Sequence, residues 1–113
     1  MNDLFIAQLI DLPNTYIGEA PPGEDTCQWI SLSAGTSETF FGLQTIDKPE
    51  YAIYVRDPSN KVAIERAQAC FNKLQNWNDA HRALIVSRLP AFVGKDEKLR
   101  SVYSFRIQLI TGG

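Results

Sequence analysis

Asp57–Trp77, DPSNKVAIERAQACFNKLQNW, decides the fold class. Apolar residues recur at Ala63, Ala67, Cys70, Leu74 and Trp77, and Ile64 and Phe71 widen the stripe. Spacings of three and four put these residues on one face of a helix of about five turns. Asp57-Pro58 offers an N-cap followed by proline at the first helical position, where no N–H is needed; Ser59 or Asn60 can cap instead. Lys61, Glu65, Arg66, Lys73 and Gln75 lie away from the stripe centre. A helix that is apolar on one side only must be laid on another layer, and the flanking sequence supplies a sheet.

Immediately before the helix, Glu50–Arg56 (EYAIYVR) alternates, with Tyr51, Ile53 and Val55 on one face and Ala52, Tyr54 and Arg56 on the other. Val102–Ile110 (VYSFRIQLI) sets Tyr103, Phe105, Ile107 and Leu109 against Ser104, Arg106 and Gln108, the pattern of a half-buried antiparallel strand. Cys27–Ser33 and Ala83–Arg88 read as two further strands. Asn2–Ile10 reads as a short helix, stopped by Pro13. Leu12–Thr26 holds Pro13, Gly18, Pro21, Pro22 and Gly23, which is loop chemistry with room for an extended piece at Tyr16–Ile17. Ala34–Pro49 reads as a polar, irregular loop longer than the usual connection, Leu89–Gly94 as a turn region, and Lys95–Arg100 as a charged loop tip. The expectation is one α+β domain over residues 1–113: a small, mostly antiparallel sheet packed against one long helix, with a short N-terminal helix.

Composition narrows the function classes. The 113 residues carry a formal net charge of −2, with 44% hydrophobic and 21% charged residues, ordinary values for a globular chain. That balance gives no electrostatic reason to expect a nucleic-acid or membrane-surface binder. No apolar run approaches the ~20 residues that cross a bilayer, and Met1–Leu12 carries Asp3 and Asp11 with no basic stretch, unlike a signal peptide. The expected setting is a cytoplasm, or a particle assembled in one.

No catalytic or metal constellation emerges. Cys27, Cys70 and His81 are too few soft ligands for a four-ligand zinc site. The two cysteines read as buried free thiols, although their spacing leaves a disulfide open. Glu19, Glu24 and Asp25 crowd a Pro/Gly loop; they match no calcium loop and read as a solvated acidic turn. Gly18 and Gly23 have the glycine spacing of a phosphate loop, but Glu24-Asp25 follows where Lys-Ser/Thr is required. His81 beside Asp79 reads as a helix-end histidine, with no partnering nucleophile signature. Aromatics on adjacent strands can stack bases, yet the glycine-rich basic context is missing and core packing explains them. Phe40 and Phe41, in a loop rich in Gly, Ser, Thr and Glu, either fold back on the core or anchor a partner.

Several segments, taken in order, resemble the bacteriophage minor capsid or tail-completion family. They are Tyr16-Ile17-Gly18-Glu19-Ala20-Pro21, Trp29-Ile30-Ser31-Leu32, Lys48-Pro49-Glu50-Tyr51-Ala52-Ile53-Tyr54-Val55-Arg56, and the helix with Ala63, Ala67 and Leu74. Pro90-Ala91-Phe92-Val93-Gly94-Lys95-Asp96-Glu97, Arg100 and the strand Tyr103–Leu109 complete the pattern, so the resemblance spans Tyr16–Ile110. It implies a tail terminator-like virion structural protein of a phage or prophage, not an enzyme and with no cofactor. Such proteins form a ring, often a hexamer, at the head–tail junction; the ring caps the tail tube and docks the head connector while DNA passes through its lumen. The implied partners are copies of itself, the tail tube protein and the head connector protein, in a virion assembled in the host cytoplasm. The candidate subunit-interface residues are Phe40, Phe41, Leu43, Glu19 and Arg56. The competing expectation is a small-molecule-binding or regulatory α+β domain with its site near the acidic loop Glu19–Asp25.

Overall fold

The structure, a computed structural model, describes residues 2–40, 44–80 and 82–111. The chain runs α1 (Asn2–Ile10), β1 (Thr15–Ile17), β2 (Cys27–Phe40), β3 (Gln44–Asp57), α2 (Asn60–Leu74), β4 (Arg82–Lys95) and β5 (Ser101–Thr111). The strands form one sheet in the order β1-β2-β3-β5-β4. Among the described residues only β1 and β2 pair in parallel, and the other strand pairs are antiparallel. The expected α+β class and its mostly antiparallel sheet are what the chain adopts.

Both helices lie on the face that carries Ile30, Tyr51, Ile53, Val55, Phe105, Ile107 and Leu109, the face marked by alternation in the sequence. The register explains why. Ile30 is opposite Ile53, and Ile53 is opposite Phe105, so the apolar positions of three strands fall in one row. From α2, Ala67, Cys70, Phe71 and Leu74 close the row, with the Phe71 ring edge-on to Phe105 at 5.5 Å. Ile64 does not widen this stripe; it is 45% exposed. Ile6 and Ile10 of α1 are fully buried in the same core.

Helix α2 is shorter than its sequence pattern. Asp57 stays in β3, paired with Ser101, so the cap falls to Ser59, whose hydroxyl accepts from the Val62 N–H. The Asp57 carboxylate accepts from the Ser59 N–H at 2.8 Å, which ties the strand end to the helix start. At the other end Asn76 turns left-handed at φ 59°, stopping the helix after Leu74 and two residues short of the Asn76–Trp77 stretch its spacing allowed. Trp77 still packs, edge-on to Phe5 at 4.9 Å, but from a loop; the Arg82 guanidinium lies over both rings. A Ser59→Ala variant is expected to lose about 1 kcal/mol of stability, readable as a lower urea midpoint at unchanged slope.

Two expectations are corrected. Ala34–Pro49 is not an irregular loop: β2 runs on to Phe40 and β3 begins at Gln44, in a continuous antiparallel ladder from Ala34–Glu50 to Phe40–Gln44. The segment is rich in Thr and Ser, with Phe and Ile among them, and such residues fit a pleated ribbon even without an apolar face. Leu89–Gly94 is likewise not a turn. β4 continues through it to Lys95 with register breaks at Val86/Arg88, Arg88/Ala91 and Phe92/Gly94. β4 is an edge strand, where Pro90 removes no needed donor and bulges absorb the extra residues.

Candidate assembly surfaces

The acidic loop between β1 and β2 is built onto the sheet by two arginines. Arg56, at the end of β3, donates to the carbonyls of Pro21 (2.8 Å) and Glu24. Arg100, just before β5, donates to the carbonyls of Pro22 and Glu24, both at 3.0 Å, and pairs with Asp25 at 3.3 Å. Arg100 also grips Asp96 at 2.8 Å, and the Asp96 carboxylate accepts the backbone N–H groups of Lys98 and Arg100. Asp96 therefore organises the β4–β5 turn, in which Leu99 adopts φ 60°. Partial burial pushes the Asp96 carboxyl up, but these hydrogen bonds and the Arg100 charge outweigh it and hold the group below its ordinary range.

Of the loop's carboxylates, Asp25 is matched by Arg100 from within the chain. Among the described residues no group of three or more His, Cys, Asp or Glu side chains is placed to hold a metal ion. A cleft of about 360 Å³ opens beside the loop, lined by Ala20, Pro22, Arg56, Asp96, Lys98 and Arg100. Arg100 already spends donors on the loop carbonyls and on Asp96, and Arg56 on the loop carbonyls, while the buried Arg56 Nε lies 3.9 Å from the Asp96 carboxylate with no hydrogen bond. Cys27 and Cys70 are both buried and free, which closes the disulfide alternative. Burial pushes the Cys70 thiol up to about 11, and that of Cys27 up as well, with Arg56 and Arg100 offsetting part of the latter.

Of the five residues marked in the sequence, Glu19, Phe40 and Arg56 fall among the described residues. Glu19 is exposed in the β1–β2 loop. Arg56 is 7% exposed and committed to the loop carbonyls and to the Trp29 ring, 5.4 Å away, so its place is inside the subunit. Phe40 ends β2, opposite Gln44, at the far end of the hairpin. Phe41 and Leu43 lie outside the described residues. The β2–β3 hairpin has one distinctive property. Among the described residues between Ala34 and Pro49 its two strands pair only with each other, because β1 pairs β2 at Gln28–Ile30 and β5 pairs β3 from Glu50 onward.

The sheet face away from the helices forms a second surface. Trp29 and Tyr54 stack across β2 and β3, with ring centroids 5.1 Å apart and planes inclined by 13°. Next to them a shallow cleft of about 290 Å³ is lined by Tyr54, Arg88, Ala91, Phe92, Ser104 and Arg106. The alternation of Val102–Ile110 put Arg106 on this outer face. Arg88 and Phe92 carried no such signal, because the bulges that position them depend on the pairing with β5.

The chain matches the model of a family described as bacteriophage tail terminator protein over residues 5–111. Comparison with curated protein sequences finds no match. Among solved structures, a chain from the virion of a native gene transfer agent particle superposes with a TM-score of 0.63 at 16% identity, covering 98% of this chain and 87% of that one. The two share a fold across nearly their whole lengths. With the family match extending over almost every residue, the chain belongs to the bacteriophage tail terminator protein family and is a phage tail structural protein.

Proposed function

We propose that the chain assembles into a ring at the head–tail junction, caps the tail tube and docks the head connector, with DNA passing through the lumen. Hexamers are the expected assembly, in virions put together in the host cytoplasm. The observation that carries this reading is the β2–β3 hairpin, whose distal arms, among the described residues, pair with nothing but each other. A two-stranded ribbon is at best marginally stable in water, so it calls for a neighbour. A ring contact, in which one patch meets a different patch on the next subunit, supplies one. Phe40, Phe41 and Leu43 are the anchors of that contact in this reading, and Glu19 a peripheral member.

A Phe40→Ser/Phe41→Ser variant is expected to keep the far-ultraviolet circular dichroism and melting behaviour of a folded subunit while losing the ring. Size-exclusion chromatography with light scattering reads this directly. Assembly of the double variant at the wild-type concentration would sink the role given to the hairpin. A wild-type chain that stays monomeric both alone and with purified tail tube protein would sink the ring.

A further inference from the structure

The two edges of the sheet carry opposite charge. Strand β4 holds Arg82, Arg88 and Lys95 and no carboxylate. Residues 2–25, which supply α1, β1 and the loop after it, hold Asp3, Asp11, Glu19, Glu24 and Asp25 and neither Lys nor Arg. In the order β1-β2-β3-β5-β4 the first and last strands are the edges, so β1, bracketed by Asp11 and Glu19, lies on the opposite side of the sheet from β4. Part of this charge is spent inside the subunit: Arg82 pairs with Asp79 at 2.9 Å and Asp25 with Arg100 at 3.3 Å. Asp11, Glu19, Arg88 and Lys95 are exposed, and among the described residues their side chains have no hydrogen-bond or ion-pair partner. Arg66 and Lys73 of α2 reach the α1–β1 connection but donate to the carbonyls of Pro13 (3.3 Å) and Ile10 (2.6 Å).

Apolar surface accompanies the charge on both edges. Ile85, Leu89, Phe92 and Val93 are 52%, 68%, 53% and 59% exposed along β4, and Ile17 of β1 is 45% exposed. Four large apolar side chains on one edge strand form the kind of patch that marks an interaction site. Pro90 and three register breaks interrupt the β4 edge, and such features block backbone pairing, so the patch is built for side-chain contacts. Arg88 is also in register with Arg106 on β5. Like charges directly opposite each other destabilise a strand pair, and an incoming carboxylate relieves that repulsion.

We infer that the β4 edge of one copy of this chain docks against the β1 edge of the next, setting Arg88 and Lys95 against Asp11 and Glu19 around an apolar contact of Leu89 and Phe92 with Ile17. The inference rests on the ring reading and adds an edge-to-edge contact to it. A subunit cannot make this contact with itself, because β2, β3 and β5 stand between its two edges. The two patches differ, so the contact is heterologous and leaves one unused patch at each end of any open chain of copies. Adjacent strands are rotated by roughly 20–25°, so the two edges of a five-stranded sheet are not parallel. Successive copies are therefore turned relative to one another, as closure into a ring requires.

Charge reversal tests this by light scattering across a dilution series. An Arg88→Glu/Lys95→Glu variant is expected to raise the protomer concentration at which rings form by about a hundredfold, the scale of like charges brought together at an interface, with the subunit's melting temperature unchanged. Adding Asp11→Asn and Glu19→Lys to the same chain is expected to recover at least tenfold of that loss; asparagine keeps the left-handed backbone that residue 11 adopts at φ 49°. If the first variant loses its fold, Leu89→Ser replaces it, with rings again expected only at raised concentration. Rings formed by the β4 variant at the wild-type concentration would overturn this contact and leave the ring reading standing. A loss that the compensating changes do not recover would overturn the β1 edge as occupant. A wild-type chain that never assembles would overturn the ring reading and this contact together.

Discussion

Replacing Phe105 with alanine is expected to cost about 3–5 kcal/mol of stability. The residue is fully buried at the centre of the sheet, opposite Ile53 and edge-on to Phe71 of α2. Its removal strips apolar surface from β3, β5 and α2 at once and leaves a cavity that the ladder on either side prevents from collapsing. A domain of this length has about 5–15 kcal/mol of stability in total. The melting midpoint should fall by roughly 12–20 °C, given the unfolding entropy expected for such a chain. Differential scanning calorimetry checks the value. A fall of less than 5 °C would show that this site does not hold the helix on the sheet.

Arg100→Met should cost about 2–4 kcal/mol, the second largest effect. Methionine keeps much of the aliphatic bulk but removes every donor. It leaves the carbonyls of Pro22 and Glu24 and the Asp96 carboxylate without the cation that joins the β1–β2 loop to the β4–β5 turn. The loop should then open locally, with faster amide hydrogen exchange and earlier proteolysis between β1 and β2 than in the helices. The pH dependence carries a signed signature. Asp96 has a folded-state pKa below its unfolded value, so the stability it contributes is fully present above the unfolded pKa. That contribution is lost as the pH falls through the depressed folded value. Acid destabilisation of the wild type should therefore be steeper than that of the Arg100 variant, in which Asp96 has lost its main partner. Parallel acid curves for the two proteins would refute the clamp.

Much of the fold was legible because burial on one side writes a period into the chain. The helix-facing row Tyr51–Ile53–Val55 and the row Phe105–Ile107–Leu109 are alternations, and Ala63–Ala67–Cys70–Leu74 is a helical stripe. Each was readable without a partner, since the period belongs to the element's own geometry. The assembly surfaces were less legible. Ala34–Pro49 shows no apolar period and looks like a loop, although it pairs from Ala34–Glu50 to Phe40–Gln44. The continuation of β4 through Pro90 was hidden for a related reason: bulges shift the alternation, and the sequence signal dissolves where the register slips. Arg56 was taken for a surface residue because alternation put it on the outer face, while the loop that covers it comes from β1–β2.

By itself the sequence determined the α+β class, the helical and strand periods, the side of each strand that is buried and, through ordered short motifs, the family. Only the tertiary structure decided where β2, β3 and β4 end and which arginines are spent inside the subunit. The physical reason is locality. Periods are set by residues a few positions apart, whereas strand length, register and charge pairing are set by backbones and side chains that meet from distant parts of the chain.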